Sequence, residues 1–206
     1  MSRKLFAIIS FSLLFASAAQ AQQVHVDETV QYYEIFGRRG DDLLEEMQKK
    51  SPPSQFGGNR YFARAEFYYR WELSNDYWAR PCKIDSFDVT VEIKYTFPLW
   101  RERERASARL IDYWEKFIDA VWVHEKGHGD IAVQTGVELA KAIGEISKEL
   151  ECEKFADEAK RISKEILDSS GEQAIYDRET KHGKTQGATF DVGAIPRHRI
   201  RKKKNN

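Results

Sequence analysis

The sequence predicts an α+β domain in which a small antiparallel sheet packs against a long helix, with further helices behind it. Two stretches, 60–73 and 82–97, alternate apolar and polar residues with the period of a strand. A long stretch from about residue 102 instead repeats its apolar residues every three or four positions, as one face of a helix does. The chain has 206 residues, enough for one substantial core and too few for two comfortable ones. Strands followed by helices in a single domain is the α+β pattern.

The chain opens with MSRKLFAIISFSLLFASAAQAQQ, a basic start at Arg3 and Lys4, an apolar run from Leu5 to about Phe15, and small residues ending Ala19-Gln20-Ala21. This is the form of a secretory signal cut after Ala21, and the apolar run falls short of the ~20 residues of a spanning helix. The expected division is a signal peptide over 1–21, one domain over 22–196 and a basic, disordered tail over 197–206. The expected location is periplasmic or secreted, with no membrane attachment after cleavage. Export exposes Cys82 and Cys152 to oxidising conditions, so a bridge between them is expected, with two buried thiols as the alternative. Closing a loop of about 70 residues stabilises by roughly 4 kcal/mol on the chain-entropy account.

VQYYEIFG reads as a short strand ending at Gly37, and DDLLEEMQKK, acidic first and basic last, as a helix aligned with its dipole. The Arg39-Gly40-Asp41 tripeptide is the turn into that helix. SPPSQFGGN is a loop by its prolines and glycines. In the next strand Ala63, Ala65, Phe67, Tyr69, Trp71 and Leu73 share one face. In the one after it Phe87, Val89, Val91, Ile93, Tyr95 and Phe97 do the same. The loop between them makes an antiparallel hairpin the economical arrangement, and Pro98 is expected to end the second strand.

The helical stripe then runs Leu110, Trp114, Phe117, Val121, His124, His128, Ile131, Thr135, Leu139, Ala142, Ile146 and Leu150. Glycines 127, 129, 136 and 144 each cost about 1 kcal/mol against alanine inside a helix. They leave open two helices, or one helix that something approaches closely. KFADEAKRISKEILDSS is a further helix stopping near Gly171, YDRETKHGKTQGATF reads as irregular chain, and the basic end as solvated tail.

The 33 basic side chains balance the 33 acidic ones, so no net field draws the protein to nucleic acid or an anionic membrane. Chemistry concentrates in HEKGH, residues 124 to 128. Histidines four apart lie on one helical face about 6 Å apart and can aim at one metal ion. Glu125, one step round, can accept a proton from a water held there. Zn²⁺ with three protein ligands is the expected cofactor, in the His-Glu-x-x-His arrangement of metallopeptidases. The extended metzincin pattern is excluded, because Ile131 and Gln134 stand where its glycine and last histidine belong. Among the five histidines, His182 is the favoured third ligand, since His25 and His198 lie near the ends and Gly183 and Gly187 let a loop approach. Asp177 and Glu179 are fallback oxygen donors, and Glu149 and Glu153 fit loosely a class that recruits a glutamate from a following helix.

The strands YYEIFG, RYFARAEFYYRW and CKIDSFDVTVEIKYTFPLW, with WEKFIDAVWVHEKGHGDIA and YDRETKHGKTQGA, resemble a bacterial domain-of-unknown-function family described as predicted secreted zinc-dependent proteases, domain of unknown function 922. The likeness covers about residues 28 to 190. It implies a zincin-like metallopeptidase with His124 and His128 as ligands and Glu125 as base, and it favours His182 as third ligand. Tyr176 is a candidate to stabilise an oxyanion. The expected partner is a peptide or protein substrate, with oligomeric state undetermined. The alternative is a non-catalytic exported zinc-binding or cell-envelope interaction protein.

Overall fold

A computed structural model describes residues 24–52, 61–76, 83–146, 150–169 and 171–195. The expected signal peptide, Cys82, Glu149 and the basic tail lie outside the described residues. Cys152 carries no free thiol, while its expected partner is among the residues not described. Among the described residues no helix is long and apolar enough to cross a membrane.

Strand β1 (Val24–Ile35) leads through a turn into helix α1 (Gly40–Lys50), followed by strands β2 (Arg64–Asp76) and β3 (Lys83–Trp100). The sheet order is β1-β3-β2. Strands β2 and β3 form the expected antiparallel pair, with Ala65 opposite Tyr95 and Trp71 opposite Val89. Strand β1, however, runs parallel to β3, from Val24 opposite Val89 to Ile35 opposite Trp100. The sheet is therefore mixed, which corrects the purely antiparallel expectation. Alternation along a strand reports which face is covered and carries no information on the direction of the neighbour.

Pro98 does not end β3, which continues to Trp100. Strand β2 reaches only as far as Thr96, so beyond it β3 has β1 alone beside it, an edge-like setting that tolerates a residue with no N–H. Gly40 of the Arg-Gly-Asp tripeptide is buried as the first residue of α1, and Asp42 caps the helix by accepting from the Arg39 N–H at 3.1 Å.

Helix α2 (Ala108–Gly144) is one helix of 37 residues, started by Ser107, whose hydroxyl accepts from the Leu110 N–H at 3.3 Å. The glycine question resolves as close approach. A Cβ on Gly129 would stand 2.0 Å from the Tyr95 hydroxyl, and one on Gly136 2.3 Å from Val91. These contacts seat α2 directly on the sheet. Val91, Ile93, Tyr95 and Phe97 are buried beneath Leu110, Trp114, Phe117 and Val121, while Phe87 and the β2 face are half-buried. Toward its C-terminal end α2 packs Leu139, Ala140 and Ile143 with Ile84, Val89 and, from helix α3 (Cys152–Ser169), Phe155 and Ala159.

The stretch expected to be irregular begins instead with helix α4 (Glu172–Thr180). Its apolar periodicity is faint, and Gly171, expected only as a stop, also serves as its N-cap. Contacts with α2, described next, hold it in place.

Candidate metal centre

The centre forms where the middle of α2 meets α4 and the loop after it. His124 and Glu125 are each 6 % exposed, and the His128 side chain is nearly as covered. Burial at that level calls for partners to the polar atoms, and α4, the loop after it and strand β2 supply them. Asp177 Oδ1 lies 3.3 Å from His124 Nε2 and 3.1 Å from His128 Nε2. His124, His128 and Asp177 thus form a group able to hold a metal ion, with ligand atoms all within 4.8 Å of one another. Ligands bound tetrahedrally at about 2.0 Å stand about 3.3 Å apart, so the two histidine–aspartate separations already match one ion's coordination shell.

His182 reaches the same carboxylate from outside. Its Nδ1 is 3.3 Å from Asp177 Oδ2, its side chain is half exposed, and its ring leans on Tyr61 at 5.3 Å between centroids. The structure therefore brings Asp177, the fallback donor, into the group with the two α2 histidines, and sets His182 one atom further out. Neither Glu153 nor Glu179 joins the group. His25 lies on β1, 3.8 Å from Asp88.

The loop after α4 is tightly built. Lys181, His182 and Gly183 all have positive φ, and a Cβ on Gly183 would come within 2.9 Å of the His124 ring. Only glycine fits there. Thr180 ties the turn by accepting from the Gly183 N–H at 3.2 Å. The close loop approach anticipated from the glycines is thus present, and what it delivers to His124 is Gln186, whose Oε1 lies 3.0 Å from Nδ1. Gln173 does the same for His128, at 2.6 Å. The sequence reading missed both glutamines, because a neutral amide matches no ligand pattern.

Tyr176 stacks on His124 with centroids 5.2 Å apart, donates its hydroxyl to the His124 carbonyl at 3.2 Å, and accepts from Gln186 Nε2 at 3.0 Å. The hydroxyl occupies the hollow left by Gly127, where a Cβ would be 2.1 Å away.

Burial pushes the Glu125 carboxyl up from its ordinary range, against the opposing pull of the His128 and His124 charges and a hydrogen bond from the Ala65 N–H. For Asp177 burial acts in the same upward sense but loses to hydrogen bonds it accepts from the His124 and His128 rings in their charged form, and to the charges of His128 and His182, which hold it well below the usual carboxylate range. Burial opposes a charged His128, yet its hydrogen bonds with Asp177 and Gln173 raise it above the ordinary histidine value.

Residues 30–183 match the family described as bacterial protein of unknown function, DUF922. The chain belongs to this family. The DUF922 match takes in the histidine motif on α2 and Asp177 on α4, ends at Gly183, and by its own description assigns no activity. No curated protein and no solved structure matches the chain.

Proposed function

We propose that the protein is an exported zinc-dependent metallopeptidase with a zincin-like site, in which His124, His128 and Asp177 hold the ion and Glu125 is the general base. The observation that carries this reading is the convergence of the three donor atoms, 3.1 and 3.3 Å between aspartate and histidines, with a buried carboxylate on the adjacent residue. Two imidazoles and one carboxylate suit zinc among the common divalent ions. Among the described residues the group has three donors, the number that leaves a coordination position for reactants. Export rests on the leader pattern of the first 21 residues.

When bound, the ion supplies Lewis acidity to a water and to the scissile carbonyl. Glu125 takes the proton released by the attacking water and returns it to the departing amine. Its position is fixed by the Ala65 N–H on β2. His182 steadies Asp177 from its outer oxygen. Tyr176, with its hydroxyl committed to the His124 carbonyl, serves to position the ring. Strand β2 is an edge of the sheet and touches Glu125, so an extended peptide added along that edge would run past the ion.

The test is Glu125→Gln. The variant should keep one zinc per chain by elemental analysis and lose peptide cleavage by about 10²- to 10⁴-fold, the usual contribution of a positioned base. If zinc-loaded protein cuts no member of a broad peptide library, the non-catalytic zinc-binding reading replaces this one.

A further inference from the structure

A neutral imidazole carries its proton on either nitrogen, and only the bare nitrogen can take a metal. The hydrogen bonds around His124 and His128 fix that choice, because each chain of bonds starts at a group that can only accept. The main-chain carbonyl of His128 faces Gln173 Nε2 at 3.0 Å, so the amide nitrogen is the end that points there. The other end, Oε1, is 2.6 Å from His128 Nδ1 and can only accept, so Nδ1 carries the hydrogen. The main-chain carbonyl of His124 likewise receives the Tyr176 hydroxyl at 3.2 Å. That hydroxyl oxygen then accepts from Gln186 Nε2 at 3.0 Å, which turns Gln186 Oε1 toward His124 Nδ1, also at 3.0 Å. Each relay begins at the carbonyl of the residue whose ring it ends on.

With both Nδ1 atoms donating, both Nε2 atoms of the neutral rings present lone pairs, and both face Asp177 Oδ1. Three acceptors pointed at one another repel unless a cation lies between them. We infer that Gln173, and Gln186 acting together with Tyr176, are positioning residues that lock His128 and His124 with the proton on Nδ1, so that both Nε2 atoms are held ready for the ion. This rests on the metal-site reading above and extends it to residues that never touch the ion. Using amides makes the device neutral: it orients the rings without adding a further negative charge beside Asp177 and Glu125.

The protein labelled with ¹⁵N-histidine, stripped of metal and held at alkaline pH where the rings are neutral, reports the proton position directly through its ring-nitrogen shifts. His124 and His128 should show protonated Nδ1 and bare Nε2. Gln173→Leu should release the His128 proton to Nε2 and weaken zinc binding by about 10- to 100-fold, the usual cost of losing an outer-sphere partner. Gln186→Leu should do the same at His124. Gln173→Glu and Gln186→Glu, which keep an acceptor facing Nδ1, should restore the Nδ1 proton. Protonated Nε2 on either ring of the unaltered protein would overturn the inference, as would leucine variants that keep both proton position and zinc affinity. If the leucine variants do not fold, the unaltered protein and the glutamate variants decide. Zinc bound by rings protonated on Nε2 in the metal-free protein would sink the lock and leave the metal site standing. Nδ1-protonated rings that take up no zinc would support the lock and remove the metal reading.

Discussion

Helix α2 passes through two different surroundings within one continuous backbone. Around Leu139, Ala140 and Ile143 it packs apolar side chains against Val89, Ile84 and α3. Around His124, Glu125 and His128 the helix is nearly as buried but polar; α4 and its following loop supply partners to the two histidines, and the Ala65 N–H of β2 supplies one to Glu125. The apolar half needs only shape, because burial itself is favourable there. The polar half costs about 1 to 3 kcal/mol for each group left unpaired, so its integrity depends on elements far away in sequence. Mutations should separate the two halves by what they disturb.

The largest change in stability is expected from Leu139→Ala. Leu139 is fully buried, and such truncations cost about 2 to 5 kcal/mol, to be read by urea unfolding. Zinc per chain, measured well below the unfolding transition, should stay the same. A parallel loss of zinc affinity would show that the halves are one unit and would break the comparison.

Gly127→Ala should act the other way. Its Cβ would lie 2.1 Å from the Tyr176 hydroxyl and 2.4 Å from the ring carbon that bears it, so the ring must move. The cost to stability is about 1 to 3 kcal/mol. Tyr176 carries Gln186, and Gln186 holds His124, so titration calorimetry should show zinc affinity falling about 10-fold or more. Unchanged zinc affinity would mean that Tyr176 packs beside the centre without orienting it.

How much of this was legible beforehand follows the same division. Period two along β2 and β3 and the long stripe of α2 are local signals, and the structure follows both. The pairing direction of β1 was not legible, since alternation says nothing of a neighbour's direction; its covered face was obscured as well, because Val26, Val30 and Tyr32 stand exposed on an edge strand. His124, Glu125 and His128 could be read because helical spacing alone brings the two histidines to one face of the helix with the glutamate beside them. Asp177 was only one of several acids within reach, and choosing it required knowing that α4 exists. Gln173 and Gln186 were invisible for a deeper reason: their role is defined by which end of an amide faces which ring, and that depends on contacts 45 and 62 residues apart in sequence.

The smallest expected effect comes from the same substitution placed at the other end of the site's support. Gly171 caps α4 with φ −75°, a conformation alanine adopts freely, and a Cβ there would meet nothing within 4 Å. Gly171→Ala reduces the freedom of the unfolded chain, worth about 0.4 to 1 kcal/mol, but gives up part of the preference for glycine over alanine at an N-cap. The two oppose each other, so the net change by thermal melting should stay within about 0.5 kcal/mol, with zinc affinity unaltered. Set beside Gly127→Ala, it isolates what the added methyl touches from what any glycine replacement does. Should Gly171→Ala weaken zinc binding as much as Gly127→Ala, the approach of α4 to α2 would depend on backbone freedom at its start, and the contact between Tyr176 and Gly127 would no longer explain how the centre is held.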